Sequence, residues 1–303
     1  MPRDIPERVS TRRPWILVAA VAVTVASGAM AAEPPAAPPG GASGAAPPAA
    51  KPAANAAPRK ALPPGTAEKL KSGDPERITA ALEDARAAGK GATALASEIS
   101  GLLDRGLSGS LAESALQALG EIELQTSTPS IASYLQHRDP KVRTAAAKAL
   151  SRTKGPAAIA ALRHALSDSE PTVRSAAASG LGILRAREAV GDLALALDHR
   201  IVEAAAPIGQ LCNVDECNDF LGRLGRLPFD LMESGLDPIL FRPAAEVSED
   251  TKANVIGRVR ELKTNEAHKF LESVQKRWPA GNSPRLKTLI DQAVKATNRA
   301  SGS

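Results

Sequence analysis

The sequence HRDPKVRTAAAKAL, residues 137–150, is followed 31 residues later by DSEPTVRSAAASGL, residues 168–181. Both copies contain the frame Pro-x-Val-Arg-x-Ala-Ala-Ala, and apolar residues outside this frame repeat with the same period. Such self-similarity is the signature of a repeat protein, and some positions match over three copies. Five columns match: Leu111, Val142 and Val173; Ala115, Ala146 and Ala177; Leu119, Leu150 and Leu181; Ile131, Leu162 and Leu193; and Leu135, Leu166 and Leu197.

Each copy has the pattern of two helices. Val142, Ala146 and Leu150 are four residues apart and form one helical stripe, and a second stripe follows the breaker TKGP at residues 153–156. Asp139-Pro140 is a strong helix start, because it combines a capping side chain with a proline in the first turn. A single unit cannot bury both stripes, so units must stack. We therefore predict an all-α fold, an α-solenoid of four to five helical hairpins.

The repeat resembles the HEAT repeat family, in particular the short HEAT-like repeats of phycobilin lyases. The matching residues are Asp139, Pro140, Val142, Arg143, Ala145, Ala146, Ala149 and Leu150, and then Pro171, Val173, Arg174, Ala176, Ala177 and Leu181. In that family the Asp and Arg columns commonly form a polar ladder between units. The resemblance therefore implies a structural ladder of Asp139, Arg143 and Arg174, in which each arginine pairs with an acidic group such as Asp139 or Glu170.

Composition narrows the possible functions. Aromatic residues make up 2% of the chain, so the core must consist of small and medium side chains. Residues 66–250 carry 20 basic and 26 acidic side chains, whereas residues 251–303 carry 11 and 4. An acidic, aromatic-poor repeat region lacks the basic groove of the HEAT-like DNA glycosylases, which argues against nucleic-acid binding. No His-Glu dipeptide occurs, so the iron site of some HEAT-repeat enzymes is not implied.

The N-terminal residues have the pattern of a targeting segment. Four arginines in residues 1–14 precede the uncharged stretch of residues 15–32, which ends in small side chains. This layout predicts a secretory signal over residues 1–31, cut before Ala32. The alternative is an uncleaved membrane anchor through residues 15–32. The predicted location is therefore periplasmic or secreted, or else anchored to the inner membrane and facing the periplasm.

A spacer separates this segment from the repeats. Residues 32–65 contain 10 prolines in 34 positions and one aliphatic side chain beyond alanine, Leu62. Such a composition cannot form a core, so we predict a disordered Pro/Ala-rich linker. HEAT-like repeats are predicted over residues 66–222, an irregular apolar segment over 223–248, and helices that cap the solenoid over 249–303.

Two cysteines lie close together in LCNVDEC, residues 211–217. In an oxidising compartment Cys212 and Cys217 can form a local disulfide, and the alternative is two free thiols. No metal site is predicted, because this pair lacks two further ligands nearby.

The segment GRLPFDLMESGLDPILFRP, residues 225–243, breaks the repeat pattern. Its prolines predict short turns and extended pieces. One interpretation is a strap that covers the open end of the last units. The other is an apolar docking site for a partner protein, formed by Phe229, Leu231, Met232, Ile239 and Phe241.

No catalytic motif and no cofactor motif stand out in the sequence. We therefore predict a non-enzymatic protein–protein interaction scaffold or adaptor in the bacterial cell envelope. The family resemblance keeps a HEAT-like accessory lyase as one alternative, and a purely structural envelope spacer is the other. The basic charge of the C-terminal helices is either their solvated face or an attraction for acidic partners.

Overall fold

The structure, a computed structural model, describes residues 61–298, and the predicted leader and most of the predicted linker lie outside this range. Within it the chain forms fifteen α-helices joined by turns and short 3-10 segments. They are α1 (Thr66–Leu70), α2 (Pro75–Ala88), α3 (Ala96–Asp104), α4 (Gly109–Ile122), α5 (Thr128–Ser133), α6 (Pro140–Thr153), α7 (Pro156–Ala165), α8 (Pro171–Ile183), α9 (Val190–Asp198), α10 (Ala205–Leu211), α11 (Val214–Leu221), α12 (Phe229–Phe241), α13 (Glu249–Leu262), α14 (Asn265–Arg277) and α15 (Pro284–Asn298).

The repeat helices begin where the sequence predicts. Asp139 accepts a hydrogen bond from the backbone N–H of Lys141 at 2.9 Å, and Pro140 is the first residue of α6. Asp74 caps α2 in the same way, through the N–H of Glu76 at 3.0 Å. Each cap satisfies a backbone donor that has no partner inside its helix.

The helices pack in two rows, which confirms the predicted solenoid. Row A contains α2, α4, α6, α8, α10 and α12, and each helix packs on the next. Row B contains the intervening helices from α3 to α13. Leu119, Leu150 and Leu181 are fully buried in consecutive row A helices, while Leu162 and Leu193 are fully buried in row B. Burying a leucine contributes roughly 1.5–3 kcal/mol, so these columns hold the tiers together.

Small residues let the row A helices approach closely. A Cβ atom on Gly120 of α4 would lie 3.2 Å from the Cα of Ala149 in α6. The approach is closer still between α10 and α12, where a Cβ on Gly209 would lie 2.0 Å from the carbonyl oxygen of Gly235. At this crossing the two backbones touch, and only glycine fits at either position.

The prediction that residues 223–248 are irregular is wrong, because residues 229–241 form helix α12. Pro238 lies inside this helix, where it removes one backbone hydrogen bond, so tertiary packing must maintain the helix across it. The buried face of α12 includes Met232, Leu236 and Ile239, and α12 packs on α10 and α14. The segment therefore covers the preceding unit, as the strap interpretation requires, but it does so as the sixth helix of row A.

The last helices close the stack. Helix α13 packs on α11 and α12, and α15 packs on both α13 and α14. The aromatic ring of Phe270 in α14 meets Phe229 of α12 edge-on, with a centroid distance of 5.8 Å. Among residues 61–298, no helix has both the length and the apolar character that a membrane span requires.

The glycine crossing makes a stability prediction. A Cβ on Gly235 would lie 2.5 Å from the carbonyl oxygen of Ala205 and 2.6 Å from the Cζ atom of Phe220. Gly235→Ala should therefore lower the free energy of unfolding by about 1–3 kcal/mol, the usual cost of overpacking. Urea unfolding followed by circular dichroism measures this change.

Gly257→Ala in α13 is the matched control, because no atom lies within 4 Å of its added Cβ. This variant should be stabilised by about 0.5–1 kcal/mol, the helix-forming advantage of alanine. Equal effects at the two positions would show that α10 and α12 do not cross as closely as described.

Candidate binding groove and polar ladder

The predicted docking patch in residues 225–243 does not form an exposed surface. Met232 and Ile239 are completely buried, and Phe229, Leu231 and Phe241 are half-buried in the packing of the last helices. The prediction that these five residues present an apolar site to a partner is therefore wrong. They are apolar because α12 is a core helix of row A.

The aromatic residues of this segment contact the C-terminal cap instead. The ring of Phe241 lies 5.7 Å from that of Trp278, and the guanidinium of Arg277 lies 4.9 Å from the Phe241 centroid. Arg277 also donates two hydrogen bonds to Asp237 in α12. These contacts tie α12 to α14, so the rare aromatic residues serve packing here.

The predicted polar ladder exists, although its acidic partner was assigned to the wrong residue. Arg143 donates hydrogen bonds from Nε and Nη2 to the two carboxylate oxygens of Asp168, each at 2.8 Å. The same guanidinium donates to the backbone carbonyls of His137 and Arg138, at 3.0 and 3.3 Å. One side chain of α6 thus joins the turn before its own helix to the turn before α8.

Arg174 repeats half of this arrangement one period later. Its Nη1 donates to the carbonyls of Asp168 and Ser169, at 2.7 and 2.9 Å, as Arg143 does at positions 31 residues earlier. Asp139 caps α6 and makes no ion pair with either arginine, and the backbone N–H of Glu170 donates to Asp168. Asp168 is therefore the acidic member of the ladder.

A second pair of the same kind lies farther along. Arg223 donates from Nε and Nη2 to the carboxylate of Asp198, at 2.9 and 3.0 Å, and also reaches Asp219. The hydrogen bond from Arg223 holds the pKa of Asp198 below its usual value. Partial burial raises the pKa of Asp168, but hydrogen bonds from Arg143 and from the N–H of Glu170 outweigh it and lower that pKa.

Cys212 and Cys217 form a disulfide at the turn between α10 and α11. The backbone carbonyl of Cys212 accepts a hydrogen bond from Arg242, at 2.9 Å, which fixes the end of α12 to the same turn. Among residues 61–298, no group of three or more histidine, cysteine, aspartate or glutamate side chains is placed to hold a metal ion.

A groove of about 860 Å³ lies on the exposed face of row A. A shallower extension of about 420 Å³ continues it along α8, and the two share Thr144, Lys148 and Thr172. The floor of the groove contains small residues such as Gly120 and Ala149, because close packing of the row A helices requires them. Charged and hydroxyl side chains form its rim.

The rim residues follow the 31-residue period as well. Arg86, Gln117, Lys148 and Ser179 occupy equivalent positions of α2, α4, α6 and α8. The first two are joined by a hydrogen bond from Arg86 to the Gln117 side chain at 3.0 Å. The groove therefore presents polar side chains at regular intervals across four tiers.

The groove was not predicted from the sequence, because the predictions followed the apolar residues. The signal that could have indicated the groove was the same 31-residue period, at the positions of each row A helix that lie opposite its buried stripe. Ile183, which is 65% exposed and borders the groove extension, was not among the site residues predicted from the sequence.

The Arg143–Asp168 pair makes a pH-dependent prediction. The lowered pKa of Asp168 means that its contribution to stability is present above the unfolded-state pKa of about 3.9 and is lost as pH falls through the folded-state value. Asp168→Asn should reduce the free energy of unfolding by about 1–3 kcal/mol at neutral pH. The difference from the wild type should shrink below about pH 4, as measured by urea unfolding at a series of pH values.

Asp104→Asn provides the control, since Asp104 is exposed and has no side-chain partner in the structure. A difference for Asp168→Asn that stays constant from neutral to acidic pH would contradict the ladder as described.

Comparison with known proteins agrees with this architecture. The sequence profile of HEAT repeats matches residues 101–182. No curated protein matches the chain by sequence. Among solved structures, the complex of CpcE and CpcF of phycocyanin lyase from Nostoc sp. PCC7120 is 21% identical with a TM-score of 0.44, covering 80% of this chain and 97% of that one.

A homology model of the full-length AP-3 complex has a TM-score of 0.50 at 13% identity, over 76% of this chain and 50% of that one. This chain thus spans half the length of the AP-3 chain, and the likeness concerns the fold alone. Residues 101–182 therefore match the profile of HEAT repeats, and these residues lie within the stack of helical hairpins described above.

Proposed function

We propose that this protein is a non-enzymatic scaffold that binds an extended polypeptide segment along the row A groove. The observation that carries the proposal is the set of polar rim residues that repeat across four tiers and project away from the core. Burial of the apolar columns already accounts for the fold, so the repeated polar positions are free to contact a partner.

The length of the groove suits an extended peptide. Packed helices lie roughly 8–10 Å apart, so the groove from α2 to α8 crosses roughly 27 Å. An extended peptide rises about 3.3 Å per residue, so about eight residues would cover this distance. Side chains such as Gln117, Thr144 and Ser179 can hydrogen-bond the main chain of such a segment, which has no partner of its own.

The carboxylates with lowered pKa values have partners that explain them. The lowered pKa values of Asp168 and Asp198 are explained by arginine partners in the ladder, which is separate from the groove. Shifted groups gathered in a cleft would indicate an active site. Asp168 and Arg143 line a separate hollow of about 370 Å³ with His137 and His164, but pairing with Arg143 accounts for the lowered pKa of Asp168 and supports a structural role for this carboxylate.

We further propose that the scaffold works in the bacterial cell envelope. The basic and then apolar order of residues 1–31 supports export, and the pairing of Cys212 with Cys217 suits an oxidising compartment. The Pro/Ala-rich composition of residues 32–65 suits a spacer that gives the repeats reach.

Export predicts a specific mature protein. Intact-mass measurement of protein purified from a Gram-negative host should show an N-terminus at Ala32 and an oxidised Cys212–Cys217 pair. Retention of residues 1–31 in a membrane fraction would favour the anchor alternative. A cytoplasmic protein with both the leader and free thiols would contradict export.

Groove binding predicts site-specific crosslinking in the native host. A photoreactive amino acid at Ser179, which is exposed at the groove, should yield a discrete adduct with another polypeptide on illumination. The same amino acid at Ala160, which is exposed on α7 of row B, is the matched control and should yield none.

Equal adducts from both positions would mean that contact is not confined to the groove. If neither position crosslinked in a folded protein, a purely structural spacer would explain the chain better than a scaffold.

A further inference from the structure

The charge of the repeat region is divided into three bands. Residues 66–137 carry 6 basic and 10 acidic side chains, and residues 188–250 carry 4 basic and 13 acidic. Between them, residues 138–187 carry 10 basic and 3 acidic side chains. A basic band thus crosses an otherwise acidic solenoid at the tiers of α6 and α8.

Folding accounts for only part of this basic charge. Arg143 and Arg163 pair with aspartates, Arg152 pairs with Glu121 at 2.6 Å, and Arg174 binds backbone carbonyls. The remaining side chains are exposed and have no ion pair or hydrogen bond in the structure. They are Arg138, Lys141, Lys148, Lys154, Arg185 and Arg187.

Several of these cations converge on one place. Lys141 and Lys148 line the groove along α6. Lys154 and Arg185 line an adjoining hollow of about 350 Å³ at the turn edge of the same tiers. Ile183 borders both the groove extension and this hollow, and 65% of its surface is exposed. Ile183 is thus an exposed apolar side chain close to the unpaired cations Lys148, Lys154 and Arg185, while Glu203 and Glu123 also line these two hollows.

The backbone at this edge is unusual for its residue types. Glu123, Lys154 and Arg185 occupy equivalent positions at the ends of α4, α6 and α8, with φ angles of 58°, 55° and 52°. This left-handed conformation is unfavourable for side chains other than glycine. Two of the three positions hold exposed cations that make no ion pair or hydrogen bond within the fold, which leaves their charges available to a partner.

We infer that the partner bound in the groove is an acidic polypeptide segment with an apolar side chain that packs on Ile183. This inference rests on the proposed scaffold function and adds the chemistry of the partner. Charge complementarity carries it: unpaired cations attract carboxylates, and like charges exclude basic segments. The chain's own residues 32–60 do not fit, because they contain one acidic residue, Glu33, among three basic ones.

The groove disfavours other anionic partners. Four acidic residues also line the groove and one lines its extension, and they would repel the continuous charge of a nucleic acid; they are Glu113, Glu121, Asp139 and Glu170, and Glu203. The chain has few aromatic side chains on which bases could stack. A peptide suits a groove lined by both cations and carboxylates, because the peptide's own carboxylates can be spaced to lie away from the glutamates.

A displayed library of random peptides of about ten residues, longer than the groove requires, tests the inference. The full-length protein is used as bait alongside the double variant Lys148→Glu/Lys154→Glu. Lys71→Glu/Lys276→Glu is the matched control, since both lysines are exposed and lie outside the groove. Peptides selected by the wild type should be enriched in Asp and Glu.

A fluorescein-labelled peptide from the selection should bind the Lys148→Glu/Lys154→Glu variant about tenfold more weakly or worse, and the control variant equally well. Ile183→Asp should weaken binding as well, and raising the salt concentration should weaken binding to the wild type. Circular dichroism and urea unfolding verify that the variants are folded.

The outcomes separate the two proposals. Selected peptides that need the groove but show no acidic enrichment would overturn the acidic-partner inference and leave the scaffold function intact. If neither Lys148→Glu/Lys154→Glu nor Ile183→Asp changes the selected peptides, or if no peptide is enriched, both the scaffold function and the acidic-partner inference would be overturned. Groove-dependent binding of a single-stranded oligonucleotide or of phosphatidylglycerol vesicles in place of the peptides would also overturn the inference.

Discussion

The whole structure depends on one constraint, which is that a helix with a single apolar stripe cannot bury that stripe by itself. Row A solves this by placing each helix against the next, so that Leu119, Leu150 and Leu181 are buried in successive tiers. Because the chain has few large side chains, the tiers must approach closely to exclude water. Alanine and glycine at the contacts allow this, and between α10 and α12 the approach leaves room only for Gly209 and Gly235.

Close packing of smooth, alanine-rich faces does not by itself fix how one tier is positioned against the next. The polar ladder supplies that information, because a bidentate arginine–carboxylate pair has a fixed geometry. Arg143 joins its own turn to Asp168 of the following turn, so a shift between tiers would leave partly buried charges without partners. Stability thus comes from the apolar columns, and alignment comes from the arginines.

The sequence predicted the fold because the apolar columns are periodic, and periodicity survives in a single chain. It misplaced the ladder acid because Asp168 lies in the column of His137, where the repeat shows no acidic residue. It missed helix α12 because Pro238 indicates a break, whereas tertiary packing of Met232, Leu236 and Ile239 maintains the helix. The rarity of aromatic residues suggested a surface role for Phe229 and Phe241, but rarity also follows from a core that needs few of them.

A repeat protein divides its sequence between two tasks, and the division explains why the groove was harder to find than the fold. Buried columns must stay apolar in every tier, so they vary little and are visible as a pattern. Exposed positions such as Gln117, Lys148 and Ser179 share the period but differ in chemistry, because packing does not restrict them. These differences in side-chain chemistry can determine which partner binds. In this chain those differences concentrate positive charge on two neighbouring tiers and negative charge on both sides, so a bound segment would be held in one place along the solenoid.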